Sequence, residues 1–312
     1  MRSQPRGPIQ FEIKDFVTVR RLPATAHGLD IWCSSLADTP LQRVLEVKLN
    51  AVYGFNLGYD PEYGNPILHA HVTGPLPHEV KLEVRYRVER LPFAVAAEAD
   101  RMAPPPGGFF ARHLRAHRYA APTLSTAEIA RQIVGQEADT YGRAQRLHDY
   151  VCDTVRHDPS RASGRGSAEH ALQVAAGSSE DLTALFVCLC RSIGIPAKFV
   201  TGLVLDTPLV EDESYVATGS HAWAEFFTPG LGWVSADPAC SCRYRHAFAQ
   251  LEPNHIAWSV GRDLRLEPAQ SGERLLSLAG PYAELDGRPH ADVARRLTFR
   301  TFVPSTLAYL EF

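Results

Sequence analysis

The spacing of apolar residues changes period part-way along the chain, and that change limits the fold more than any single motif. Val80, Leu82, Val84, Tyr86 and Val88 alternate with Lys81, Glu83, Arg85, Arg87 and Glu89. A period of two over such a run specifies a half-buried strand. Leu45, Val47 and Leu49 around Glu46 and Lys48 repeat it, and Phe11 with Ile13 and Val17 with Val19 indicate an earlier bent strand pair. Turn clusters at Ala37–Pro40, Gly64–Pro66 and Gly74–Pro75 separate these runs. No strong amphipathic helix pattern precedes residue 120. Residues 1–98 are therefore expected to form an antiparallel β-sandwich domain.

Residues 99–122 read as a linker, centred on Ala103-Pro104-Pro105-Pro106-Gly107-Gly108, with Phe109, Phe110 and Leu114 available to pin it down. Helical periodicity takes over beyond it. Ser125-Thr126-Ala127-Glu128 has the form of a capping box. A helix is expected over 139–156, with Ala144, Leu147, Val151 and Val155 on one face. Another is expected over 180–192, where Leu182, Leu185, Phe186, Leu189 and Ile193 make one apolar stripe. Gly194 ends it and Pro196 prevents its resumption. Strands are expected at Ala197–Leu205, His221–Phe227, Trp233–Ala236 and Leu297–Val303. The chain thus reads as α+β, with residues 123–312 as a second domain carrying a C-terminal extension.

Three segments in that second domain combine into one chemistry. Gly177-Ser178-Ser179-Glu180-Asp181-Leu182-Thr183 opens a helix, Ser220-His221-Ala222-Trp223-Ala224-Glu225 opens a strand, and Gly232-Trp233-Val234-Ser235-Ala236-Asp237-Pro238 ends one. A helix N-terminus presents unpaired N–H groups and positive potential, which stabilise an anionic nucleophile and an oxyanion. A His and an Asp on adjacent strands supply a base and the carboxylate that orients it. Ser179, His221 and Asp237 are the candidate catalytic residues, and Trp223, Ser178 and Ser220 the candidate substrate contacts.

These segments resemble the transglutaminase-like superfamily, whose fold is related to papain. The family's G-x-C-x-D-x-[AT] motif is matched by residues 177–183, and the following Arg-Ser-x-Gly-Ile-Pro-Ala-Lys run by Arg191–Lys198. Its His-Ala-Trp-x-Glu is matched by His221–Glu225, and its Gly-Trp-x-x-x-Asp-Pro by Gly232–Pro238. Gly261-Arg262-Asp263 and Pro281–Gly287 resemble the bacterial two-domain branch with an N-terminal β-domain. The resemblance implies acyl transfer at an amide or thioester carbonyl, by hydrolysis or by amide-bond formation. No metal or organic cofactor is required for it.

Residue 179 departs from the family: the nucleophilic Cys is replaced by Ser. A thiol beside a His can pre-ionise, whereas a hydroxyl needs its proton removed during attack. Three readings stay open: an introduced Cys→Ser inactivation, a natural Ser-His-Asp enzyme, and a non-catalytic descendant that binds peptides or amides. The substrate pocket is expected from loop 206–220 and the seam between the domains.

Plainer roles compete at several positions. Ser179 suits a helix N-cap, Asp181 suits the helix dipole, Asp237 before Pro238 suits a turn, and Trp223 and Trp233 suit the core. Cys188 and Cys190 do not face each other on a helix and read as core thiols. Cys240-Ser241-Cys242 with His246 lacks the spacing of a structural zinc site, and His69 with His71 on one strand face is too few ligands. The six cysteines are too sparse for a disulfide scaffold. The formal net charge of -3 gives no basic field for nucleic acid. No apolar run nears the roughly 18 residues that span a bilayer, and Met1–Phe16 lacks the apolar stretch of a secretory signal. The expectation is a cytoplasmic protein with a peptide, amide or thioester substrate and neither nucleic acid nor membrane as partner.

Overall fold

The structure, a computed structural model, describes residues 7–94, 110–205, 213–240 and 248–302. The Pro/Gly run of the linker, Phe109, part of loop 206–220, Cys242 and His246 lie outside the described residues. Strands β1 (Ile9–Val19), β2 (Gly28–Ser34), β3 (Gln42–Ala51), β4 (Asn56–Tyr59), β5 (Pro66–Thr73) and β6 (Val80–Arg90) come first. Helices α1 (Leu124–Val134), α2 (Thr140–Thr154), α3 (Ala168–Val174) and α4 (Ser179–Ser192) follow. Then come β7 (Ala197–Val204), β8 (Tyr215–Ala217), β9 (His221–Thr228), β10 (Gly232–Ala236), β11 (His255–Val260), β12 (Tyr282–Leu285), β13 (Arg288–Pro289) and β14 (Val293–Phe302). The α+β class follows directly from this order. Among the described residues no helix is long and apolar enough to cross a membrane.

The expected β-sandwich is present, but its strands are not drawn from residues 1–98 alone. One five-stranded sheet runs β8-β14-β1-β6-β3 and the other β13-β12-β2-β5-β4. β14 lies against β1 over ten residue pairs, from Gln10↔Phe302 to Val19↔Val293. The C-terminal extension therefore closes the sandwich instead of sitting beside the core.

Two strand readings change for physical reasons. β1 is one continuous strand, not a bent pair, because Asp15 occupies an inward position where the apolar alternation lapses. Its carboxylate accepts from Arg295 Nε at 2.8 Å and Nη2 at 2.7 Å, so the buried charge is paired and the strand runs on. In β3, Val47 and Leu49 face the core side opposite Tyr86 and Val84. Yet Leu45, Val47 and Leu49 are 38–44% exposed, because β3 is an edge strand, covered on one side only, and a bulge between Val44 and Glu46 takes Leu45 out of the ladder.

The helices start where caps allow. Thr123, not Ser125, caps α1: its hydroxyl accepts from Thr126 N and the Thr126 hydroxyl accepts from Thr123 N. Asp139 caps α2, which buries Ala144, Leu147 and Val151 as expected. α4 exceeds its expected stripe, since Leu182 to Cys190 are all completely buried. A third sheet, β10-β9-β7-β11, packs against it. Gly194, at φ +81°, takes the left-handed turn that ends α4, and Ile195 N returns to Cys190 O. In the linker, the Phe110 ring packs 4.4 Å from Phe227, whereas Leu114 is 37% exposed.

Candidate active site

The site is built on the first turn of α4. Ser178 is the N-cap, and its N–H and hydroxyl both donate to Asp181 Oδ2 at 3.0 Å. Asp181 is completely buried and also accepts from Ser167 N at 2.8 Å, Ser163 N at 3.1 Å and the Ser163 hydroxyl. Burial would raise its carboxyl, but these bonds outweigh burial and hold it below the usual carboxylate value. Asp181 thus ties loop 163–167 to the helix start. A Cβ on Gly177 would come within 2.7 Å of Asp181 Cβ, so glycine is needed there.

Ser179 follows, 6% exposed. Its Oγ accepts from the backbone N–H of Ala222 at 3.3 Å, and Thr183 Oγ1 donates to Ala222 O at 3.0 Å. The first turn of α4 therefore clamps both polar groups of the residue beside His221. Among the described residues, Ser179 Oγ makes no hydrogen bond to the imidazole.

His221 begins β9 and Asp237 follows β10, which pairs with β9 from Ala224↔Ala236 onward. His221 Nε2 donates to Asp237 Oδ2 at 2.6 Å. Asp237 Oδ1 accepts from the N–H groups of Ala239 and Cys240, both at 3.0 Å. The carboxylate is completely buried. Burial would raise it; the charge of His221 and bonds from His221 and His255 overcome that and hold it well below the usual range.

His255 is a residue that sequence reasoning missed. It begins β11, is 3% exposed, and places Nε2 3.1 Å from Asp237 Oδ2. Its Nδ1 lies 3.2 Å from Glu252 O and 2.8 Å from Asn254 Oδ1. Burial pushes its pKa down, against the pull of Asp237. Trp223, 1% exposed, stands edge-on to His255 at 5.4 Å and near-parallel to His221 at 6.3 Å. It is a buried wall behind both imidazoles, not the substrate contact expected. Ser178 is likewise engaged in capping. Ser220 is exposed and donates to Glu180 Oε1 at 3.5 Å.

Cys240 joins the group as well: donor atoms of His221, Asp237, Cys240 and His255 all lie within 4.8 Å of one another. Cys188 and Cys190 are buried, and burial pushes both thiols up. His69 Nε2 and His71 Nδ1 both contact Asp30 Oδ1, at 2.9 and 2.8 Å, away from this centre. Beside Glu180 opens a cavity of about 560 Å³, whose walls include Arg118, Arg165, Arg262, Arg274 and Glu273. Arg118 is paired with Asp263 and Glu273. The Arg165 guanidinium lies 5.4 Å from the Tyr119 ring centroid. Arg262, 3% exposed, donates to the carbonyls of Gly166 and Arg165, while its Nε has no hydrogen-bond partner among the described residues.

Residues 127–238, which span α1 to the Asp237-Pro238 turn, match the model of the transglutaminase-like superfamily. This stretch is a transglutaminase-like domain. Along the sequence the chain is 25% identical over 233 residues to an uncharacterized protein of Haemophilus influenzae, a match covering 62% of this chain and 63% of that protein. In three dimensions it superposes on the crystal structure of a candidate cysteine protease from Cytophaga hutchinsonii with a TM-score of 0.65 at 15% identity, covering 96% of this chain and 92% of the other. The sandwich and the transglutaminase-like domain thus recur together as one fold. The periplasmic domain of TgpA from Pseudomonas aeruginosa matches more loosely, at a TM-score of 0.42 and 14% identity, over 76% of this chain and 89% of that one.

Proposed function

We propose that this chain catalyses acyl transfer at an amide or thioester carbonyl, with Ser179 as nucleophile, His221 as base and Asp237 as orienter. The 2.6 Å bond from His221 Nε2 to the fully buried Asp237 carries this reading. That bond commits Nε2 to carrying the proton and leaves Nδ1 as the basic nitrogen. His221 takes the hydroxyl proton as Ser179 Oγ attacks the carbonyl, and then protonates the leaving amine or thiolate. The resulting acyl-serine is released to water or to an amine. Backbone N–H groups at the start of α4 are the natural oxyanion donors.

Serine makes the step slow. The hydroxyl is not pre-ionised, and its shorter bonds hold it further from the carbonyl than sulfur would reach. The arginine-walled cavity beside Glu180 favours an acyl donor with a carboxylate near the scissile bond. Arg165 is the exposed cation that would meet it, and the buried Arg262 adds positive potential behind.

The test is acylation of the native chain by a fluorophosphonate probe. Labelling at Ser179 that His221→Ala abolishes is the expected result. A second reading, a non-catalytic amide-binding cleft, draws on the Ser179 hydroxyl being bonded to Ala222 and not to His221. No labelling, together with retained binding of glutamyl peptides, would support it over the first.

A further inference from the structure

His255 is oriented in a way that acyl transfer does not use. Its Nδ1 faces the Glu252 carbonyl at 3.2 Å, and a carbonyl only accepts. With Asn254 Oδ1 2.8 Å away on the same side, these oxygens favour a proton on Nδ1. Nε2 faces Asp237 Oδ2, 3.1 Å away: it donates to the carboxylate while it carries a proton, and it offers a lone pair once the ring is in the Nδ1–H tautomer. An imidazole held by Nδ1–H to a backbone carbonyl, with Nε2 facing another donor atom, is the arrangement that orients histidine for a metal ion. The 3.1 Å separation is close to the ~3.3 Å edge of a tetrahedron with metal–ligand bonds of about 2.0 Å.

The other donors complete such a set. Cys240 and His221 lie with Asp237 and His255 inside a 4.8 Å span. Cys240 is held there because its backbone N–H donates to Asp237 Oδ1. The burial of the cluster is graded: Asp237 and His255 are buried, while His221 and Cys240 are partly exposed and leave a path for an ion. Two imidazoles, one carboxylate and one thiolate form a borderline-soft donor set suited to Zn²⁺.

We infer that His221, Asp237, Cys240 and His255 form a zinc site whose filling takes His221 away from Ser179. Binding balances as follows. The Cys240 thiol loses its proton to solvent, the His221 proton moves from Nε2 to Nδ1 so that Nε2 can ligate, and His255 enters as the Nδ1–H tautomer, any proton on its Nε2 leaving to solvent. Thiolate, carboxylate and Zn²⁺ then sum to zero charge, which suits a buried cluster. With Nδ1 protonated, His221 has no lone pair for the Ser179 hydroxyl. The blocking arm rests on the proposed acyl-transfer reading; the metal site itself does not.

The experiment uses the native chain, reduced and stripped of metal. Titration with Zn²⁺ against a chromophoric chelator is expected to show one equivalent bound. Co²⁺ in its place is expected to give tetrahedral d–d bands and a thiolate charge-transfer band. Cys240→Ser is expected to lose the charge-transfer band, and His255→Gln to weaken binding at least tenfold. Ser179→Ala is expected to bind as the native chain does. Absence of a one-equivalent site, or a charge-transfer band that survives Cys240→Ser, overturns the site. Cys240 is partly exposed, so that variant stays informative if His255→Gln fails to fold. Fluorophosphonate labelling is then run with and without Zn²⁺. Loss of labelling with zinc supports the block, and unchanged labelling in the filled protein overturns it. Absence of labelling even without zinc removes the acyl-transfer reading and with it the block, while the Co²⁺ spectrum still decides the site.

Discussion

Asp237→Asn keeps the shape of the central carboxylate and removes its charge. At present Oδ1 takes two backbone N–H groups at 3.0 Å and Oδ2 takes His221 at 2.6 Å. An asparagine has one oxygen for both tasks. Turned toward His221, it strands the N–H groups of Ala239 and Cys240, at about 1–3 kcal/mol each. Kept on those N–H groups, it presents its own NH₂ to His221 Nε2. His221 must then accept at Nε2 and carry its proton on Nδ1, the nitrogen that should act as base. The second arrangement is cheaper, so the tautomer inverts. A wrong tautomer in a Ser-His-Asp triad costs about 10⁴ in rate, and a lost general base about 10²–10⁴. His221-dependent labelling of residue 179 should fall roughly 10³-fold. Loss of the charge-assisted bond should also lower stability by about 2–3 kcal/mol. Long-range ¹⁵N–¹H correlation spectra of the imidazoles read the tautomer directly, and timed labelling reads the rate. A variant whose His221 keeps its proton on Nε2, or whose labelling stays within about threefold of the parent, refutes the reasoning.

Other outcomes follow from single residues. His113 and His117 are buried; burial first, and then the charge of Lys198 or Arg191, pulls them to about 3 and about 2. Their unfolded forms protonate near ~6.5, so the unfolded chain binds more protons below that value and stability falls as pH falls. From about pH 6 to about pH 4.5 each histidine should remove about 2 kcal/mol, and urea titrations of His117→Gln should show a shallower slope. Asp181 and Asp237 have depressed folded values, so their contribution is complete above the unfolded value of about 3.9 and is lost as pH drops below it through the folded value. Gly177→Ala should cost about 1–3 kcal/mol by driving its Cβ onto Asp181, measured as a lowered urea midpoint at unchanged m. Arg165→Ala should leave folding intact and weaken binding of glutamyl over glutaminyl peptides roughly tenfold, about 1.4 kcal/mol; equal effects on both would remove the carboxylate preference.

Local patterns carried much of this architecture. The stripe Leu182–Leu189 with Gly194 bounded α4 within a residue or so, and the His221 and Asp237 segments fell on the strands their spacing implied. What escaped depends on contacts far apart in the chain. Asp15 interrupted the pattern of β1 because its partner, Arg295, lies 280 positions away. β14 completes the sandwich through pairing with β1 that no local periodicity encodes. Val47 and Leu49 carry the right alternation, but they lie on a strand that the topology leaves at the sheet edge. Thr123 outcompeted Ser125 as a cap through Thr126, a reciprocal pair two positions earlier than the Ser-x-x-Glu signature suggested. His255 left no local trace, being a buried polar residue at the start of a strand that also buries Ser259, and the pairing of β11 with β7 brings it to Asp237.

The central claim is that residue 179 is a nucleophile position poised by His221 and Asp237. Ser179→Cys, treated with iodoacetamide across a pH series and mapped by peptide mass, tests it most directly. Burial pushes the Cys33, Cys188 and Cys190 thiols up, so they provide slow internal references. The new thiol should react well below the ~8.5 of a free cysteine, at least about 100-fold faster than those references, and His221→Ala should erase the advantage. A thiol at 179 that titrates like free cysteine, or that reacts equally fast without His221, would contradict the account.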